Sequence, residues 1–256
     1  MVRNIDWTDL SDTGTRSISH GYSYTGQKLT SRWDNFGSEA ILVAVAYAAA
    51  TGNGNVLLEN NSTAPTWDGS GFNDELATLL FPMNSTDKWG NNWQTYRAGA
   101  FQKQKSFLSS PLYTQSSLFG LSASEVPEPW TVAEDKVYGA WGVGGHNATP
   151  NDGSSLVGYP IIAPHYAAMI SSEHTIEFQK VFGYLISNNL LTPLNNVESF
   201  GIDNNGKIHW NPLKGSWNLS LQTLGSGRVL QGDGYLPYAA LNANQFLKQG
   251  FSRIMP

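Results

Sequence analysis

Glu39 stands at the entrance of an almost unbroken apolar run, Ala40 to Ala50, and just behind the polar-aromatic segment Trp33-Asp34-Asn35-Phe36. A carboxylate beside aromatic side chains at the mouth of a buried helix can hold a proton, because apolar surroundings disfavour its charged form. Acids at a helix start are also favoured by the helix dipole, so Asp34 and Glu39 fit a plain helix-start role equally well. The same theme returns in Trp67-Asp68-Gly69-Ser70-Gly71-Phe72, followed by Asn73, Asp74 and Glu75. There Asn73 or Asp74 is suited to cap a helix from Glu75 to Leu80, with Pro82 as its stop. A third concentration is Tyr138 to His146, dense in glycine around Trp141. It lacks the strand–G-x-G-x-x-G–helix pattern of dinucleotide sites. Glycines beside Trp141 let a ligand or another chain segment approach the backbone closely. A long polar loop then runs to Tyr159-Pro160, and Pro164-His165 opens a further helix.

The elements that must position these residues read mostly as helices. Alanine-rich residues 38–51 form one, with Asp34 or Ser38 as cap and Gly52 as its end. Apolar on every side, it must be buried, and it is too short and alanine-rich to span a membrane. Asn91 or Asn92 starts another, with Trp93, Tyr96, Ala100, Phe101 and Phe107 on one stripe and Gln102 to Lys105 opposite. A helix after Ser171-Ser172-Glu173 carries Phe178, Val181, Phe182 and Leu185 on one face. Asn205-Gly206 marks a hairpin between Ile202 and Ile208. Residues 212–230 read as a helix weakened by Gly225 and Gly227, and residues 238–255 as the last helix. Asp6, Asp9 and Asp12 fit one helical turn, in an otherwise polar N-terminal extension covering residues 1–32. The expectation is seven or eight helices in a single all-α domain, residues 1–256, with long polar loops and a small β-hairpin. Buried helices need covering partners, which points to an α/α toroid.

Composition narrows the function classes. Charged residues are 14% of the 256, the net charge is −5, and no Lys/Arg run occurs. That disfavours nucleic acid and anionic membranes as partners. Cysteine is absent, so no thiolate nucleophile or thiolate metal site is expected. His20, His146, His174 and His209 show no ligand spacing, so neither a metal nor another cofactor is expected. A surface of Asn, Ser and Thr with few charges suggests an extracellular or cell-surface protein, although Met1 leads into no apolar signal segment.

Four segments, in order, resemble the glycoamylase-like domain family, whose relatives include β-1,2-glucanases and the transglycosylase part of cyclic glucan synthases. Ser38-Glu39 resembles the family's Ser-Glu before a buried helix. Trp67 to Phe72 and the run to Pro82 resemble its Trp-Gly-Gly-Ser-x-Phe-Glu segment. Trp141-Gly142 resembles its Trp-Gly motif, and Ala163-Pro164-His165 its Pro-His-Ala helix start. The resemblance runs from about Tyr22 onward and implies an α/α toroid of the six-hairpin type, either its later part or a reduced form, acting on glucosidic linkages through carboxylates. Such chemistry needs one acid to protonate the leaving oxygen and a second to attack or activate water. Glu39 is the first candidate, with Glu75 or Asp74 as partner and Asp34 third. Trp33, Trp67, Trp141 and Tyr159 are candidate sugar platforms, with His146 and His165 as hydroxyl ligands. The expected partner is an oligo- or polysaccharide, with self-association or another protein completing the toroid. Two positions depart from the family: Phe72-Asn73 replaces Phe-Glu, and Leu219 to Thr223 lacks the acid of Leu-Asp-Gln-Gly. These departures support an alternative, a non-catalytic glycan-binding or assembly subunit that keeps the toroid.

Overall fold

A computed structural model describes residues 5–33, 37–56, 66, 68–109, 118–128, 137–145 and 148–255. Asp6 caps the first turn, α1 (Trp7–Leu10), by accepting a hydrogen bond from the Asp9 N–H at 3.1 Å. A two-residue ribbon follows, β1 (Ser11–Asp12) with β2 (Ser17–Ile18). This segment is tied to the core: Trp7 meets Tyr47 edge-on, with ring centroids 5.7 Å apart.

The alanine-rich run forms α2 (Ser38–Thr51), ended by Gly52 at φ 73°. Its cap is Gly37, without a side-chain hydrogen bond, so Ser38 sits inside the helix. Asp34 lies outside the described residues. Ala40, Ile41, Ala44, Val45, Tyr47 and Ala48 are buried, while Leu42, Val43, Ala46 and Ala50 are partly covered. The next helix, α3 (Gly71–Leu80), begins a turn earlier than its acids suggested, with Ser70 as cap. Gly71 lies inside the helix at a point of tight packing. A Cβ there would stand 2.2 Å from the Tyr166 ring. The added turn places Gly71, Asp74, Glu75 and Thr78 on one buried face, at i, i+3, i+4 and i+7.

Helix α4 (Trp93–Leu108) starts where Asn92 accepts from the Thr95 N–H at 3.0 Å. Of its expected stripe Trp93, Tyr96, Ala100 and Phe101 are buried and Phe107 partly so, but Arg97 and Gln104 are buried too, and Gln104 bonds the backbones of Gly69 and Leu121. Strands β3 (Ser124–Glu125) and β4 (Tyr138–Gly139) pair antiparallel. Then come α5 (Ser154–Val157), α6 (Pro164–Met169) and α7 (Thr175–Ser187). The hairpin is longer than its turn implied: β5 (Val197–Ile202) and β6 (Ile208–Pro212) pair around Gly206 at φ 79°. The register shifts between Val197 and Ser199, leaving Glu198 at a bulge. Pro212 ends this strand and does not start the next helix, α8 (Ser216–Gln231). The last expected helix is two, α9 (Leu236–Ala243) and α10 (Gln245–Ile254), divided where Asn244 caps α10.

Two helix pairs approach closely through glycine. A Cβ at Gly250 on α10 would lie 2.3 Å from the Val45 carbonyl of α2, and one at Gly225 on α8 2.3 Å from the Ala168 carbonyl of α6. Gly225 therefore serves the close packing of α8 on α6. The fold is helix-rich, and among the described residues its sheets are three two-stranded ribbons. No described helix is long and apolar enough to cross a membrane.

Candidate functional site

The start of α2 and the start of α3 meet at a cavity of about 310 Å³. Its lining includes His20, Arg32, Trp33, Ser38, Glu39 and, from the second segment, Asp68, Phe72 and Asn73. Two backbone features bring the segments together. Gly37 has φ 90°, and a Cβ on it would stand 2.7 Å from both the Asn73 carbonyl and the Thr66 methyl. Ser38 also has positive φ, 50°. Glu39 thus emerges from a tight corner, and the Ser38 hydroxyl donates to its carboxylate. The Trp33 ring lies against His20 with centroids 4.2 Å apart. One buried guanidinium nitrogen of Arg32 has no hydrogen-bond partner.

Asp68 is the acid that sequence reasoning missed. Its Oδ1 accepts from the Ser70 N–H at 2.9 Å and the Asn73 side-chain amide at 2.8 Å. Its Oδ2 is buried without a partner. Burial raises its pKa above the ordinary carboxylate range, against the lowering effect of those hydrogen bonds. The available clue was positional: Asp68 stands where the family motif carries its first glycine, and Asn73 where it carries glutamate. Asp68 and Asn73 both line the cavity.

A second group borders this one through Ala123 and Ala140, which line the cavity and flank β3 and β4. Glu198 is buried at the β5 bulge, a device that re-aims side chains. It accepts from Asn218 at 2.5 Å and from the Glu125 N–H at 3.4 Å, and burial raises its pKa. Glu125 accepts in turn from Asn211 at 2.7 Å. Burial raises the pKa of the Tyr138 hydroxyl, and the charges of Glu198, Glu39 and Glu125 raise it further.

The other expected site residues lie elsewhere. Glu75 is 1% exposed and held by Arg97, with contacts of 2.7–3.0 Å, and by Thr78 at 2.9 Å. It is a structural ion-pair member and does not line the cavity. Asp74 is fully buried, and its Oδ1 takes hydrogen bonds from the Thr66 N–H and hydroxyl and from Tyr96. Trp141 is buried and donates to the Ser124 carbonyl at 3.1 Å, so it is a core residue and not a sugar platform. Gly142 beside it does serve a close approach, to the backbone of residues 68–70. Tyr159 is buried and stacks on His209 at 4.8 Å. His165 is buried, bonds Ser122 at 2.9 Å and is pushed down to about 3 by burial, which keeps it neutral. Asp34, Trp67 and His146 lie outside the described residues. Of the expected residues, Glu39 and Trp33 are the ones brought together at the cavity.

Burial pushes Asp74 up to about 7, with its Tyr96 and Thr66 hydrogen bonds acting in the other direction. The folded state then keeps a proton that the unfolded chain releases near 3.8, so stability falls as pH rises between those values. Because Oδ1 takes all three bonds and Oδ2 none, Asp74→Asn preserves them. The variant is expected to match wild type in urea unfolding at acidic pH and to exceed it at pH above that window. Parallel pH dependences for the two proteins would overturn this account of Asp74.

The fold is similar to those of solved structures described as glucoamylases and an endo-β-1,2-glucanase. A candidate glucoamylase from Bacteroides caccae superposes with a TM-score of 0.69 at 13% identity. An endo-β-1,2-glucanase from Chitinophaga pinensis, solved with sophorotriose and glucose, gives 0.65 at 10%. A second candidate glucoamylase, from Bacteroides uniformis, gives 0.63 at 13%. Each match covers 98% of this chain and 62% of the other, so this chain spans under two thirds of their length. No protein-family profile matches the sequence, and no curated protein does.

Proposed function

We propose that this chain is a carbohydrate-active protein, a glycoside hydrolase or transglycosylase acting on a glucan, with Glu39 and Asp68 as its paired carboxylates. The observation that carries this reading is that both acids line one cavity with Trp33, Arg32 and Asn73. Asp68, whose burial favours the protonated form, is suited to donate a proton to the leaving oxygen. Glu39, beside the Ser38 hydroxyl, is suited to attack or to activate water. Arg32 and Asn73 supply hydrogen-bond donors for sugar hydroxyls, and Trp33 an aromatic face for the apolar side of a ring. The fold shared with an endo-β-1,2-glucanase supports β-1,2-glucan as the first substrate to test. We read the helices as part of an α/α toroid, completed by another segment or chain, in an extracellular or cell-surface protein.

The test is incubation of the protein with β- and α-linked glucans, β-1,2-glucan included, with products resolved by chromatography. Products from wild type that fall away in Glu39→Gln and Asp68→Asn support the reading. One observation favours a second reading, a glycan-binding subunit without catalysis: the motif position occupied by glutamate in the family is Asn73 here. Retained glucan binding with no product from wild type would select it.

A further inference from the structure

We propose that the cavity continues into a second sugar-binding subsite, with the Trp217 indole as its platform and an oligosaccharide, not a single sugar, as its ligand. The proposal rests on the carbohydrate reading above. Trp217 stands in the first turn of α8 and is 50% exposed, the one exposed tryptophan among the described residues. Burial is the ordinary outcome for so large an apolar side chain, and Trp7, Trp93 and Trp141 follow it. The α8 start itself does not call for an indole, since its cap is Gly215 without a side-chain hydrogen bond.

The indole is fixed beside the cavity from two directions. Its ring meets the Phe72 ring edge-on, centroids 6.1 Å apart, and Phe72 lines the cavity. The next residue, Asn218, is buried and donates to Glu198 at 2.5 Å and to the Ala123 carbonyl at 3.5 Å. Ala123 is also a lining residue. The first turn of α8 is therefore pinned to the rim by its neighbours while the indole faces water. Tyr138, exposed as well, lies within reach of the charges of Glu39 and Glu198. An aromatic face in this position packs on the C–H face of a pyranose, as Trp33 can within the cavity. Two such platforms bordering one cavity suit a ligand of several rings.

The experiment is calorimetric titration of wild type, Trp33→Ala, Trp217→Ala and Trp217→Phe with a length series of gluco-oligosaccharides, starting from the disaccharide. The linkage is the one cleaved or bound best in the glucan panel. Wild-type affinity is expected to rise with chain length. Trp217→Ala should weaken the longest ligand about tenfold, a change of about 1.4 kcal/mol, and the disaccharide less than about twofold. Trp217→Phe should retain part of the increment, and Trp33→Ala should weaken every length. If Trp217→Ala weakens all lengths alike, or none, the subsite is wrong while the carbohydrate reading stands. If wild type binds no glucan of any length, that reading fails and the subsite fails with it.

Discussion

Glu39→Gln is expected to fold normally, keep its glucan affinity and lose cleavage by about 10²–10⁴-fold, the usual weight of a positioned acid or base. Folding should survive because Glu39 pairs with no cation among the described residues and its Ser38 hydrogen bond can also be accepted by an amide oxygen. Asp68→Asn should behave alike, since Oδ1 alone accepts the Ser70 and Asn73 bonds. A relocation variant sharpens the case. Asp68→Gly alone should be inactive, whereas Asp68→Gly with Asn73→Glu returns the acid to the family's motif position and should recover part of the rate. Product assays with matched thermal melts separate lost chemistry from lost fold. Wild-type rates in Glu39→Gln or Asp68→Asn would remove those residues from the mechanism.

The largest stability loss is expected at Arg97. Its guanidinium joins α3 to the α6–α7 connection by pairing with Glu75 at 2.7 Å and Glu173 at 3.2 Å. Glu173 also pairs with Arg228 of α8 at 2.7 Å. Arg97→Ala leaves the buried Glu75 carboxylate without its cation, and breaking a buried pair from one side costs about 3–5 kcal/mol. Replacing both ends, as in Glu75→Leu with Arg97→Met, removes the stranded charge and should return most of that loss. Urea unfolding of Glu75→Leu, Arg97→Met and their combination measures the coupling. Additive losses would show that the pair contributes nothing as a unit.

Glu75 also shows what sequence could and could not yield. The helical pattern was legible because its signals are local. Alanine content and Gly52 delimit α2, Asn92 opens α4, and Asn205-Gly206 turns the hairpin. The inner stripe of α4 was legible at its aromatics but not at Arg97, which meets Glu75, or at Gln104, whose amide is satisfied by backbone groups distant in sequence. The cavity was half legible. Glu39 and Trp33 were found because acid and aromatic adjoin a buried helix. Asp74 and Glu75 were misplaced because α3 already starts at Gly71, which puts both inside the helix on its buried face and not at its entrance. Asp68 lies in a cluster that reads as a helix start, with no role of its own, and Glu198 carries no local signal at all. Their environments arise from Asn73 and Asn218, which no local pattern links to a carboxylate.

The left-handed corner at Gly37 and Ser38 has a consequence for laboratory evolution. A serine held at φ 50° carries about 1 kcal/mol of backbone strain that glycine would not. Selection for heat resistance alone should therefore accept Ser38→Gly, with a higher melting temperature. The same exchange deletes the hydroxyl that steadies Glu39 and loosens the turn that aims it, so turnover should fall. Melting and turnover measured on that one variant would show robustness and catalysis pulling against each other at a single peptide unit. A variant that gains in both would mean the corner is a leftover of chain routing.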